Sequence, residues 1–456
     1  MTENGDIMKH NTRKLLMHLM YLLLTAVYSG IYMFVWEKYY NRVLSSDRIT
    51  TDHFGWKGNL MILFIYLVLI YLFGRIYNSF KVGNQPRSSV IYSQVLSLLF
   101  INGLTFMQIS LLERALSDPR PLLCATGADI VCAVIWSFAA DAAYARLFPA
   151  RRMVMIYGSR QAVSVVKKMA AHDKRFLICK AVNVAEGTPA VIAAVDEYDA
   201  AVICDVPGQL KNDIIKACYD RHKRIYIVPK ITDIILRGGE EVHLFDTPLI
   251  VCRNGDLPLE AQIIKRILDV LLSAVALVIA SPFMLITAVC IKLYDGGPAF
   301  YVQDRLTKDG KVFKLYKFRS MIVNAEKDGA RLASENDSRI TPIGRWIRKL
   351  RIDELPQLLN IIKGDMSIVG PRPERPELAA KNEKLMPEFS YRLRVKAGLT
   401  GYAQVMGKYN TTPYDKLRLD LMYIENYSLL LDLKLMLMTV KILFVSESTE
   451  GVEEEQ

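Results

Sequence analysis

The chain has 456 residues, room for about three compact units of about 100–200 residues each, which excludes a single small domain. It is 52% apolar yet 23% charged, with a mean hydropathy of +0.18, so apolar and charged residues are segregated along it as in a membrane protein with water-exposed parts. Lys and Arg outnumber Asp and Glu by 58 to 47, and the net charge of +11 suits headgroups, phosphates or nucleic acid without choosing among them.

Three runs, 15–36, 58–74 and 88–112, hold no Lys, Arg, Asp or Glu, and each is long enough for a membrane helix. A fourth run, 122–145, is interrupted by Asp129 and Asp141, which cost about 2.5–3.5 kcal/mol each at a bilayer centre and less when they face other helices. It still reads as spanning, which makes 1–148 a four-helix transmembrane bundle. Lys9, Arg13 and Lys14 precede the first helix, and Arg146, Arg151 and Arg152 follow the fourth, so an even number of crossings returns the chain to the cytoplasmic side. Lys38, Arg42, Arg48 and Lys57 in the first outer loop weaken that bias. No small-residue cleavage site follows the first run, which reads as an anchor.

From residue 150 to 255 the pattern is α/β. Strands are expected at 153–157, 176–182, 200–204 and 224–228, with helices near 160–171 and 209–222, in Rossmann-like order. Tyr157-Gly158-Ser159-Arg160 holds one of the three glycines of a dinucleotide fingerprint. The domain therefore reads as degenerate, structural or regulatory, although Gly158 and Ser159 could offer amides to a phosphate. The seven cysteines include no CxxC pair, which leaves no zinc or disulfide pattern and points to a cytosolic setting. The histidines end at His243, so chemistry beyond it falls to carboxylates, Lys, Arg and hydroxyls.

A fifth apolar run, 270–291, has Ser281-Pro282 at its centre, and Pro removes an amide donor and clashes with the preceding turn, so the helix is expected to break there. Lys265 and Arg266 lie before the run; Lys292, Arg305, Lys308, Lys311, Lys314, Lys317 and Arg319 lie after it. Positive flanks on both sides predict a re-entrant helix over 267–292, the alternative being a kinked span that exports everything beyond it.

Within 256–456, Asp353-Glu354-Leu355-Pro356-Gln357 follows a basic amphipathic stretch at 345–351. Alone, the acid pair reads as helix N-terminal charge. Its company shifts that reading, because Gly370-Pro371-Arg372-Pro373-Glu374-Arg375-Pro376 sets an arginine on a proline-stiffened turn suited to bidentate phosphate recognition.

With Lys265-Arg266, Asp269, Ser281-Pro282, Gly297-Pro298, Gln303, Arg305, the block at 313–321, Asp353 to Gln357, the block at 363–367, Gly370 to Pro373 and Gly398-Leu399-Thr400-Gly401, residues 260–445 resemble the bacterial sugar transferases. These are polyprenyl-phosphate sugar-1-phosphate transferases, or monotopic phosphoglycosyl transferases, and the four helices and middle domain look like those of the long members. Ala397 and Tyr402 depart from the family pattern KPGLTGW without removing a charge. The resemblance implies a mainly α-helical catalytic domain with a re-entrant helix, on the cytoplasmic face of a bacterial inner membrane. It implies transfer of a sugar 1-phosphate from a UDP-sugar to polyprenyl phosphate, releasing UMP, with Mg2+ and no nucleic-acid partner; a homodimer stays open.

By the family motif, Asp353 is the nucleophile and Glu354 the metal ligand. Arg372, flanked by Pro371 and Pro373, holds phosphate, with Lys314, Lys317, Arg319, Arg348 and Arg351 as further phosphate neighbours. Amphipathic stretches at 329–351 and 415–445 could lie along the membrane surface, the alternative for 428–445 being ordinary core packing, and the acidic end at 450–456 reads as a disordered tail. Two other classes stay open, a nucleotide-sugar oxidoreductase or dehydratase working through the middle domain and a non-catalytic scaffold.

Overall fold

The computed structural model describes residues 2–41, 55–83, 85–159, 161–170, 176–252, 257–323, 325, 337–407 and 411–443. Arg42, Arg48, Arg160, residues 329–336 and the acidic tail lie outside the described residues. The fold is mostly helical with some parallel sheet, and it divides into two units, Met1–Val228 and Pro229–Gln456.

In the first unit α1 (Thr2–Val35), prolonged by a π-helical turn at Trp36–Tyr40, contacts α2 (Trp56–Tyr77) and α4 (Arg120–Leu147), and α3 (Arg87–Glu113) contacts both α2 and α4. Each expected apolar run lies inside one of these helices. The two interrupting acids face protein: Asp141 pairs with Arg87 at 2.6 Å, and Asp129 is buried among the helices. Nearby, Tyr66 donates to Asn102, which donates to Thr126, while Leu22, Leu23, Phe64, Val131 and Ile135 stand exposed. Polar groups inside and apolar groups outside is the arrangement a hydrocarbon solvent selects.

The same unit then forms β1 (Arg151–Tyr157), α5 (Gln161–Ala170), β2 (Phe176–Asn183), α6 (Thr188–Glu197), β3 (Ala200–Cys204), α7 (Gly208–Asp220) and β4 (Arg224–Val228). The strands are parallel in the order β2-β1-β3-β4, and every residue of β3 is buried. Helix α6 is absent from the sequence expectation; its Val191, Ala194 and Val195 recur at helical spacing and join the core. A Cβ on Gly158 would lie 2.3 Å from the Asp205 carbonyl, so this glycine serves the close approach of two strand ends.

The second unit begins with α8 (Ile231–Arg237) and an exposed hairpin, β5 (Glu240–Leu244) and β6 (Thr247–Val251). Ile231 and Ile234 share a core with Val369, Phe389, Leu417, Leu421 and Leu435, so α8 folds with the C-terminal residues. There follow α9 (Leu259–Asp295), the hairpin β7 (Phe300–Leu306) and β8 (Val312–Phe318), α10 (Pro342–Lys349) and α11 (Gln357–Lys363). Strand β9 (Ser367–Val369) pairs in parallel with β10 (Gly398–Thr400), and α12 (Pro376–Leu385), α13 (Tyr402–Met406), α14 (Pro413–Glu425) and α15 (Leu429–Leu443) complete the unit.

Helix α9 runs on through Pro282, where an interruption was expected. The missing proline amide leaves the Val278 carbonyl without its helical donor, and the Ser281 hydroxyl donates to that carbonyl at 2.8 Å. Both ends of α9 are tied to one unit. Lys265 pairs with Asp432 at 2.5 Å, Arg266 donates to the carbonyls of Ile361 and Ile362, and Asp269 accepts from the Ile368 amide; beyond the proline, Met284, Ala288 and Ile291 pack with Phe318 and Ile347. Between these anchors Val278, Ile279, Phe283, Leu285 and Ile286 are exposed. Among the described residues five helices, α9 included, are long and apolar enough to cross a membrane, and the chain is a membrane protein.

Candidate active site

The acid pair sits where α10 gives way to α11. Thr341 caps α10 by accepting from the Gly344 amide at 2.9 Å, and Pro342 opens its first turn. The chain then reverses at Arg351, whose φ of 53° is left-handed, into the 3-10 turn Ile352–Glu354 that carries both carboxylates. Buried Leu358 and Ile361 seat α11 on Phe313 and Leu315 of β8. Asn360, fully buried, stitches the same two elements together: its side-chain amide donates to the Lys314 carbonyl at 2.7 Å, and its oxygen accepts from the Tyr316 amide at 3.0 Å. Residue 317 is thereby set beside residue 354.

Glu354 is the hub of the charges. Its Oε1 accepts from Arg372 Nη2 at 2.8 Å and lies 3.8 Å from Lys317 Nζ, while Oε2 lies 4.0 Å from Arg351 Nη1. Burial alone would raise its pKa, but Arg372, Lys317 and Arg351 bring it down to about 2. Asp353 goes the other way, raised to about 6 by burial first and by the neighbouring Glu354 charge second, against the pull of Lys317, Arg348 and Arg372. Two adjacent carboxylates driven apart in this way can divide their tasks, one a fixed anion and the other a more basic nucleophile. Burial pushes Lys317 below its usual range, although Glu354 and Asp353 oppose the shift.

Of the residues the sequence singles out, Asp353, Glu354, Lys317, Arg348, Arg351 and Arg372 are brought together. Two cations are not. Lys314 lies on the opposite strand face from Lys317 and pairs with Asp304 at 2.7 Å. Arg319, buried, clasps Asp295 at the end of α9 with both terminal nitrogens and donates from Nε to the Pro298 carbonyl at 2.8 Å, so it fastens helix to hairpin. Pro371 and Pro373 act through their carbonyls, which accept from the Gly398 amide at 2.8 Å and from Arg305 Nη1 at 2.9 Å. Ser281 and Pro282 lie within α9, away from the acid pair in sequence and bonded only within the helix among the described residues. Sequence reading missed Asn360, whose only signal is a polar residue among Leu358, Leu359, Ile361 and Ile362.

Residues 260–446 match the family model for bacterial sugar transferase. The chain is similar to a UDP-N-acetylgalactosamine-undecaprenyl-phosphate N-acetylgalactosaminephosphotransferase of Aeromonas hydrophila, 38% identical over 54% of this chain and 58% of the relative. It is also similar to an undecaprenyl-phosphate glucose phosphotransferase of Komagataeibacter xylinus, 36% identical over 54% of this chain and 48% of the relative. The chain thus spans about half the length of these two relatives. A Bacillus subtilis protein, named only provisionally as an undecaprenyl-phosphate N-acetylgalactosaminyl 1-phosphate transferase, is 51% identical over 28% of this chain and 73% of its own length. The chain belongs to the bacterial sugar transferase family.

Proposed function

We propose that this protein transfers a sugar 1-phosphate from a UDP-sugar to undecaprenyl phosphate, giving a lipid diphosphate sugar and UMP, as a first membrane step of polysaccharide synthesis. The observation that carries this reading is the acid pair inside its ring of cations. Lys317, Arg348, Arg351 and Arg372 outnumber Asp353 and Glu354, so the site carries net positive charge, which suits an anionic diphosphate donor. The names of the relatives supply the substrate class.

In this mechanism Asp353 attacks the phosphorus that bears the sugar. A carboxylate oxygen–phosphorus bond forms, the bond to the bridging oxygen breaks, and UMP leaves with that oxygen. An oxygen of the lipid phosphate then attacks the same phosphorus and releases the Asp353 carboxylate, so no side chain gains or loses a proton overall. Arg372 and Lys317 offset the charge that accumulates when two anions meet. Mg2+ would be held by Glu354, with Asp353 beside it, whose carboxylate oxygens are the hard ligands this ion takes. When bound, Mg2+ supplies charge neutralisation on the diphosphate.

We read α1 to α4 as a transmembrane bundle, β1 to β4 with their helices as a degenerate Rossmann-like domain, and the second unit as catalytic at the cytoplasmic face of the inner membrane. The anchoring of both ends of α9 on one unit supports re-entry, with Pro282 as the place where a continuous helix would bend to bring both flanks to one side of the bilayer. Cysteines placed at residues 262 and 293 should react from the same side; labelling from opposite sides would make α9 a span. The activity is tested with radiolabelled UDP-sugars, magnesium and polyprenyl phosphate. Lipid-linked label with UMP is expected, whereas a redox or dehydrated product, or none, would overturn the reading. The relatives' names include N-acetylgalactosamine, glucose and galactose, so the donor screen must contain all three.

A further inference from the structure

The turn that carries Arg372 is held by its main chain. The Pro371, Arg372 and Pro373 carbonyls accept, in succession, from the Gly398 amide at 2.8 Å, from Arg392 Nη2 at 3.1 Å and from Arg305 Nη1 at 2.9 Å. The middle donor differs in being locked itself. Arg392 is 3% exposed; its Nε donates to Asp420 Oδ2 at 3.0 Å, its Nη2 approaches the same oxygen at 2.8 Å, and its Nη1 donates to Glu374 Oε1 at 3.1 Å. Asp420 is 1% exposed on α14, and the guanidinium lies 4.9 Å from the Phe389 ring centroid. One planar group therefore joins α14 to the Arg372 carbonyl and to the Glu374 carboxylate.

A buried ion network of this kind is often no more stabilising than apolar side chains of the same volume, so stability alone does not account for it. What it supplies is direction. With the carbonyl of residue 372 fixed, the side chain of the same residue leaves the turn toward Glu354, 2.8 Å away. We propose that Arg392, locked by Asp420, is a positioning residue that aims the Arg372 guanidinium at the acid pair and the donor diphosphate. This rests on the reading in which Arg372 meets that diphosphate.

A double-mutant cycle on the full chain in lipid nanodiscs, assayed by UMP release, separates positioning from mere support. Arg392→Lys keeps the charge but cannot place the planar fork on three partners. It should lower kcat/KM for the UDP-sugar roughly 10–100-fold in the natural background and no more than about threefold when Arg372→Ala is already present, because there is no guanidinium left to aim. Equal losses in both backgrounds, or none in the first, would overturn the proposal. Glu374→Gln, which leaves the Arg392–Asp420 pair intact, should show a smaller loss with the same suppression, and it decides the matter if the lysine variant does not fold. A natural chain that releases no UMP would instead sink the transferase reading, and Arg372→Ala with natural kinetics would sink the role given to Arg372.

Discussion

Replacing Asp353 by Asn should destroy turnover and make the protein more stable. The carboxyl is raised from the ordinary 3.8 to about 6, by burial first and the Glu354 charge second. Raising a buried carboxyl from 3.8 to about 6 is a native-state cost on the order of 3 kcal/mol. The folded carboxyl holds its proton more tightly than the unfolded one. The cost is therefore absent below about pH 4, builds between about pH 4 and 6, and is complete above about pH 6. Asn has nearly the same volume and no charge to desolvate, so it removes the cost together with the proposed nucleophile. For a unit the size of Pro229–Gln456, about 2–4 °C per kcal/mol converts the gain to roughly 6–12 °C in Tm at pH 7.5, shrinking to nothing near pH 4. Intrinsic fluorescence of detergent-solubilised protein over a temperature ramp, repeated across that range, reads the shift without needing activity. A Tm at or below the natural one at pH 7.5, or a gain independent of pH, would refute the electrostatic account of the pair.

The mirror change, Glu354→Gln, should also abolish turnover but lower stability by about 1.5–3 kcal/mol, since it strips Arg372 and Lys317 of their anion; the same fluorescence ramp gives the sign. The kcat/KM of the natural chain should fall about tenfold per pH unit below about 6, as Asp353 of the free enzyme takes up its proton, in a pH–rate profile with donor well below KM. In steady-state kinetics Lys314→Ala should stay within about twofold of the natural chain while Lys317→Ala loses on the order of 10–100-fold, and Arg319→Ala should lower Tm yet keep KM per folded molecule. A chain shortened to begin at Pro229 should transfer sugar phosphate, whereas one beginning near residue 256 loses Ile231 and Ile234 from the core, at about 2–5 kcal/mol for each large aliphatic removed. UMP released per folded, membrane-inserted molecule compares the two.

The apolar runs announce the long helices because hydrocarbon tolerates little else, and the inner strands β1 and β3 announce themselves because strands covered on both faces carry unbroken apolar runs, whereas the edge strands β2 and β4 are largely exposed and signal less. The acid pair is recognisable only through its order among other motifs. What sequence does not disclose is which of three nearby cations faces it. The two-residue period of β8 sends Lys317 and Lys314 to opposite faces, and Arg319, just past the strand end, is taken by Asp295. The partners of Lys314 and Arg319 are fixed by the pairing of β7 with β8 and by the approach of α9, and that of Lys317 by the seating of α11 on β8, contacts with no local signature. The unbroken α9 is a third instance, since a proline forecasts a break and only the geometry of the preceding hydroxyl reveals its repair.

Each of these long-range contacts bears on the depth of the site. Lys265, Arg266 and Asp269 tie the start of α9 to α15, α11 and β9, and Asp295 ties its end to Arg319. Helix α11 follows the carboxylate turn directly, and Arg319 follows Lys317 by two residues. The apolar stretch from Val278 to Ile286 is thus connected to the acid pair by charged and hydrogen-bonded contacts at both ends. On the proposed reading a long isoprenoid delivers its phosphate only at the headgroup level, and a unit held by an apolar helix in this way would keep Asp353 at a fixed depth.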